Sequence, residues 1–408
     1  MNASMNNTSN RIKNVEASPI TRLIPYEEEA LKNGKTIYHL NIGQPDLKTP
    51  KEFFESVREF NKDILTYAHS RGRKELIEEI IKFYKKHFNI DYKYENIFIT
   101  TGGSEAILFT LLSIFDEGDE VLVSEPYYAN YNNFFDVLNI KVNAFTADPK
   151  TGFHLPAREE IISKITPKTK AIVLTNPGNP TGVVYREEEI RLIGEIAKEY
   201  GLYIISDEVY KVFSYGKNRA ISFGEIEGIE ENVILIESIS KIYSACGARI
   251  GAVISKNENL MNEIYKLCQA RLSVSTLDMV GAEGLYKKLS DDYFEKNRIE
   301  YEKRRDIVYD GISKIEGIEV TKPEGAFYVM VTLPMDNTED FCIWLLTDFD
   351  LDGETIMLSP AEGFYTNKEL GRNKIRISYC IEAEKLKKSI KILEAGLKEY
   401  LSKKKLTR

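Results

Sequence analysis

The chain has 408 residues, 43% hydrophobic and 29% charged, and its 63 Asp and Glu against 55 Lys and Arg give a net charge of -8. That length buries a large core and predicts two or three domains or subdomains, while the acidic balance excludes non-specific nucleic-acid binding, which needs a basic footprint. No apolar run approaches the ~20 residues of a membrane span.

The opening MNASMNNTSN is polar, lacks the apolar region of a secretory signal and reads as an N-terminal arm. Cys246, Cys268, Cys342 and Cys380 are far apart with no C-x-x-C pair, which predicts reduced thiols in a cytoplasmic protein. His39, His69, His87 and His154 are scattered, so no metal site is expected.

In chain order, candidate strands fall at 96–101 (NIFITT), 120–125 (EVLVSE), 141–145 (KVNAF), 170–176 (KAIVLTN), 202–208 (LYIISDE), 232–238 (NVILIES) and 249–255 (RIGAVIS). Several are nearly continuous Ile/Val/Leu runs, as expected for strands covered on both faces. Amphipathic segments lie between many of them. In REEEIRLIGEIAKEYG, Ile190, Ile193 and Ala197 mark one helical face and Gly201 a C-cap. Only ten residues separate Ser238 from Arg249, too few for a parallel crossover. The fold class is therefore α/β: a mostly parallel seven-stranded sheet with one antiparallel strand, 249–255, plus a smaller α+β domain. Residues 51–292 are expected to form the large domain and 293–408 the smaller one, with 1–50 supplying the arm and part of the smaller unit. A long charged helix (YFEKNRIEYEKRRDIVYDGISKI) opens the last section and EAEKLKKSIKILEAGLKEYL closes it.

Four features fall where the sheet strands end, the usual ligand edge of an open α/β sheet. TTGGSEAILFTLLSIF opens an apolar helix on glycines and a serine, an anion site built from backbone N–H groups or else a plain turn. In LTNPGNPTGVVY, Asn176 and Asn179 flank prolines, reading as a tight turn with a cis bond at Pro177 or Pro180, or as a rigid loop that aims an amide at a ligand. In SDEVY, Asp207 ends an apolar strand and Tyr210 follows it; alone, Asp207 reads as an N-cap. In ESISKIYSACGARIG, Lys241 follows a strand and Arg249 comes eight residues later.

Together and in this order, TGGSEA, EPYYANY, NPGNPTG, DEVY, SISKIYSACGARIG and PEGAFY resemble the fold-type I pyridoxal-phosphate enzymes, specifically the class I/II aminotransferases of the aspartate aminotransferase type. The resemblance runs from YHLNIGQPD to GRNKIRISYC. It implies pyridoxal 5'-phosphate as cofactor, an L-amino acid and a 2-oxo acid as substrates, a ping-pong cycle and a homodimer with shared sites. It identifies Lys241 with the Schiff-base lysine, Asp207 with the partner of the pyridinium nitrogen, and Tyr210 and Asn179 with the groups on the phenolic oxygen. Arg249, Ser238, Gly103 and Ser104 match the phosphate cup, and Tyr128 the aromatic that stacks on the ring. Tyr67 matches the tyrosine that reaches the neighbouring subunit's phosphate. Arg376 matches the arginine that forks onto the substrate α-carboxylate, and Gly43 the glycine that closes over it.

The chain departs from many relatives at Cys246, Gly247 and Ala248, where bulkier residues are frequent, and in SPAEGFY. Arg271, in CQARLSVST, reads either as a surface or interface arginine or as a guanidinium for a distal substrate carboxylate. The same constellation would serve a β-lyase, a decarboxylase or an oxidase or cyclase that uses the same cofactor. A ligand-sensing regulator would need an appended DNA-binding domain, for which the residues before YHLNIGQPD are too few.

Overall fold

Seven strands from the middle of the chain form one sheet in the computed structural model, which describes residues 8–13, 15, 22–216 and 219–406; residues 1–7 of the expected arm lie outside the described residues. The strands are β1 (Ile97–Thr100), β2 (Glu120–Glu125), β3 (Lys141–Thr146), β4 (Thr169–Thr175), β5 (Tyr203–Asp207), β6 (Val233–Ser238) and β7 (Gly251–Ile254). Their order is β1-β7-β6-β5-β4-β2-β3. Strands β2 to β6 pair in parallel, and β7 runs antiparallel to both β1 and β6, as the short connection requires.

Alternation along each strand divides the core between two faces. Ile172, Ile204 and Leu235 pack on one side, while Val173, Ile205, Ile234 and Ile236 pack on the other. Ile204 and Ile205 are 0% and 1% exposed, so each contributes roughly 1.5–3 kcal/mol of hydrophobic stabilisation on opposite faces of one strand. This double covering is why the strand sequences read as unbroken apolar runs.

The helix Glu187–Tyr200 buries Ile190, Ile193 and Ala197 and stops at Gly201, whose φ of 66° is the left-handed geometry that glycine adopts without a Cβ penalty. The charged helix spans Asp291–Ile312 and the terminal helix Ala383–Leu406. No helix among the described residues is long and apolar enough to cross a membrane.

The later part of the chain builds a second sheet in which β8 (Tyr328–Thr332) and β9 (Lys374–Ser378) run antiparallel. Residues Thr36–His39 pair in parallel with Glu354–Met357. The next turn continues that zipper: Leu40 N–H donates to Met357 O at 2.9 Å and Ser378 N–H donates to Leu40 O at 2.8 Å. This pairing fixes Asn41–Gly43 beside Arg376 on β9.

Candidate active site

A cavity of about 290 Å³ opens where the parallel strands end. Gly43, Gly103, Ser104, Tyr128, Asn179, Asp207, Tyr210, Ser238, Lys241, Arg249 and Arg376 all line it. Tyr67 and Arg271 do not.

At one end of the cavity, Ser238 and Gly251 pair across β6 and β7, and Thr100 pairs with Gly251 across β1 and β7. The helix Gly102–Ile114 starts directly after β1, so its first N–H groups point into the same end. Gly102 has φ +74°, and a Cβ there would stand 2.6 Å from Arg249 Nη2. A Cβ on Gly251 would stand 2.5 Å from the Gly102 backbone carbon. Glycine at both positions thus lets the helix start, the reversed strand and the arginine converge. Arg249 itself precedes β7 rather than opening it, with φ +52°, and its Nη1 donates to Cys246 O at 3.1 Å.

Lys241 sits in the single turn Ile239–Ile242 that follows β6. Its Nζ donates to Gly43 O at 2.8 Å and lies 4.0 Å from Cys246 Sγ. The Cys246 thiol donates to Ser240 O at 3.1 Å, so the small residues of ACGA let a thiol approach the amine.

Asp207 caps β5 and is 6% exposed. Burial raises its carboxyl pKa above the usual carboxylate range, opposed by hydrogen bonds from Tyr131 and the Val209 backbone and by the Lys241 charge. Tyr131 Oη donates to Asp207 Oδ2 at 2.6 Å and lies 3.1 Å from Thr175 Oγ1. Tyr131 is a functional neighbour that the sequence reading did not single out. The signal was there: it stands three residues after Tyr128 in EPYYANY, one helical turn on.

At the other end, Arg376 is 1% exposed. Its Nη1 donates to Asn179 Oδ1 at 3.1 Å, its Nη2 donates to the Asn41 carbonyl, and its Nε has no hydrogen-bond partner. Its guanidinium carbon lies 4.6 Å from the Tyr328 ring centroid. Among the described residues no carboxylate pairs with it. Tyr328, from PEGAFY, is a second residue whose part was missed; its Oη is 3.0 Å from that of Tyr210. A Cβ on Gly43 would fall 1.7 Å from Tyr328 Oη, so only glycine fits.

Of the two loop asparagines, only Asn179 faces the cavity. Asn176 Nδ2 donates to Ile221 O at 3.0 Å and its Oδ1 accepts from Tyr185 N–H at 3.1 Å, which makes it a loop brace. Asn176-Pro177 and Asn179-Pro180 are both cis. Behind this loop, His154 Nδ1 lies 2.8 Å from Glu189 Oε2 and its Nε2 lies 3.5 Å from Glu324 Oε2. These two carboxylates raise the His154 pKa to about 9.

Arg271 is paired within its own chain. Its Nη1 pairs with Glu105 Oε2 at 2.6 Å and its Nη2 donates to Ser70 O at 3.1 Å. Glu105 Oε2 also accepts from Thr101 N–H at 2.7 Å, so the pair braces the helix start behind Gly103. Tyr67 is 81% exposed, beside the exposed Ile64 and Leu65.

Comparison with known proteins agrees with this geometry. The family model for aminotransferase class I and II matches residues 35–393. The chain is 31% identical to a probable aspartate/prephenate aminotransferase of Aquifex aeolicus, covering 96% of this chain and 98% of that protein. It is 34% identical to the (5-formylfuran-3-yl)methyl phosphate transaminase of Methanocaldococcus jannaschii, covering 97% and 100%. Among solved structures, an alanine aminotransferase from Pyrococcus furiosus superposes with a TM-score of 0.89 at 28% identity, covering 96% and 100%. With a family match over nearly the whole chain and relatives 31% and 34% identical along nearly their full length, the chain belongs to the class I and II aminotransferases.

Proposed function

We propose that the protein transfers the amino group of an L-amino acid to a 2-oxo acid such as 2-oxoglutarate in a ping-pong cycle, with pyridoxal 5'-phosphate as cofactor. Aspartate is the donor to try first, since aspartate aminotransferases of Pyrococcus horikoshii and Bacillus subtilis are among its relatives. The observation that carries the reading is Arg376, a buried guanidinium that no carboxylate among the described residues pairs with, in one cavity with the Lys241 amine and the buried Asp207 carboxylate. A buried unpaired cation calls for an anionic ligand, and a carboxylate matches its fork.

The donor set fits the cofactor. Helix-start N–H groups at Gly103 and Ser104, the Ser238 hydroxyl and Arg249 would hold a phosphate, and a side chain at Gly102 would fill that cradle. Asp207 would hold the ring nitrogen, Tyr128 would cover a ring face, and Tyr210 and Asn179 would meet the phenolic oxygen. When bound, pyridoxal phosphate supplies an aldehyde for amines and a ring that draws electrons from the substrate Cα. Lys241 Nζ would hold the cofactor by that aldehyde at rest and, once released, would move the proton from the substrate Cα to the former aldehyde carbon, across the amino nitrogen. Arg376 and Gly43 would orient the substrate by its α-carboxylate.

We also infer a homodimer in which the exposed Tyr67 reaches the phosphate end of a second copy's site, with Ile64 and Leu65 covered on association. Four cysteines without disulfide partners support a reducing, cytoplasmic setting. The test is a visible spectrum of the protein loaded with cofactor during a screen of L-amino acids. Bleaching of the cofactor band by a donor, reversed by a 2-oxo acid, is expected. Release of ammonia or CO2 without that reversal overturns the reading.

A further inference from the structure

Directly beneath the cavity lies a second charged cluster that the proposed reaction does not use. Lys211 and Glu237 form an ion pair whose side chains are each 1% exposed. Glu237 Oε2 also accepts from Tyr84 Oη at 2.7 Å, and Lys211 Nζ donates to that same Tyr84 Oη at 2.9 Å. The ammonium lies 4.4 Å from the Tyr84 ring centroid and 5.2 Å from that of Phe83. Glu208 is 1% exposed, and its Oε1 accepts from Ser206 Oγ at 2.9 Å and from Phe223 N–H at 3.0 Å.

The placement of these groups in the chain is what matters. Lys211 belongs to the turn after β5 that delivers Asp207 and Tyr210. Glu237 belongs to the end of β6, immediately before Ser238 and four residues before Lys241. Glu237 Oε1 accepts from Ser238 N–H at 3.0 Å, and Glu208 N–H donates to Ile236 O at 3.2 Å. One ion pair therefore ties together the two chain segments that supply six of the cavity's lining residues. A buried pair is seldom the most stable filling for such a space, because desolvation offsets much of the attraction and apolar residues pack as well. What it supplies is a directional fixture, satisfied only when both segments stand in register.

We propose that Lys211 and Glu237 are positioning residues, a buried bridge that holds the Ser238–Lys241 turn in register with the Asp207–Tyr210 turn. The inference rests on the proposed function for its chemistry, but the bridge itself is read from cofactor retention. The informative variant is Lys211→Met combined with Glu237→Gln. It removes both charges of the pair and keeps an amide oxygen for Ser238 N–H, while the buried Glu208 carboxyl loses the lysine charge that faces it. The folded double variant is expected to lose pyridoxal phosphate about tenfold faster on dilution and to show about tenfold lower kcat, with the KM for the amino acid little changed. A role in stability alone would move the melting temperature and leave both rates at wild-type values, and that result overturns the proposal.

Should the double variant not fold, Tyr84→Phe deletes a single hydroxyl shared by both charged groups. About threefold faster cofactor loss is expected from it, and wild-type retention overturns the bridge. Absence of amino transfer in the wild-type protein would overturn the proposed function alone, because retention reads the bridge whatever reaction the site performs.

Discussion

The two ends of the cavity are assembled in different ways. The end formed by Gly103, Ser104, Ser238 and Arg249 comes from three adjacent strands and the turns directly after or before them. The end formed by Gly43, Asn179, Tyr328 and Arg376 joins parts of the chain that are far apart in sequence. Arg376 meets Asn179 across 197 residues and Asn41 across 335. The first end is a property of one sheet edge; the second exists only when the N-terminal strand, the proline loop and the second sheet have all docked. Damage at Gly43 or Arg376 of the second end should therefore alter amino-acid binding and leave the cofactor in place, whereas damage to the first should touch both.

The largest effect is expected from Lys241→Ala, which removes the amine on which both ends converge. Turnover should fall by about 10⁴-fold or more, measured as amino transfer by the loaded protein. Arg376→Met breaks the far end. The kcat/KM for the amino donor should fall about 10²–10³-fold, the loss expected when one partner of a buried charged contact is truncated. Cofactor affinity should stay within about twofold, while the melting temperature of the cofactor-free protein should fall, since Asn179 Oδ1 and the Asn41 carbonyl lose their buried donor; a matching loss of cofactor would break the division between the ends.

Gly43→Ala puts a methyl where Tyr328 Oη stands. The overpacking should cost about 2 kcal/mol and raise the amino-acid KM roughly 30-fold, while Tyr328→Phe in the same chain should restore part of it. His154→Gln tests the clamp behind the proline loop. The folded pKa of His154, about 9, lies above its ordinary value of 6.5, so its contribution is complete below pH 6.5 and is lost as pH rises through 9. Glu324 is half-exposed and screened by solvent, so the variant should lose about 2 kcal/mol of stability at pH 6 and under about 1 kcal/mol at pH 10 by denaturant titration. Tyr131→Phe is the mildest change: with one donor to Asp207 gone, cofactor affinity should fall about tenfold or less and the amino-acid KM should hold.

The same contrast governs what could be read from the residues. The strands were legible because Ile204, Ile205 and Leu235 are covered on both faces, and the reversal of β7 followed from the ten residues between Ser238 and Arg249. The start of that strand was not: Arg249 takes a left-handed φ to turn toward the Gly102 helix, so β7 begins two residues later than the apolar pattern suggested. Tyr131 on Asp207 and the Asn41 carbonyl on Arg376 are long-range contacts without a periodicity to announce them. The contact of Arg271 with Glu105, 166 residues away, is another of these. The Lys211–Glu237 pair had no signal either, as Lys211 directly follows SDEVY and Glu237 opens ESISKIYSACGARIG, motifs read for their neighbours.

The antiparallel pairing of β6 with β7 also has a bearing on the order of assembly. It is the most local pairing in the sheet, and it brings Ser238 opposite Gly251 without any crossover helix. Contacts of short sequence separation form early because little loop entropy opposes them. The amine of Lys241 and the guanidinium of Arg249 should thus be neighbours in a nascent hairpin long before Arg376 arrives. Backbone amides of β6 and β7 should accordingly gain hydrogen-exchange protection ahead of those of β9 during refolding.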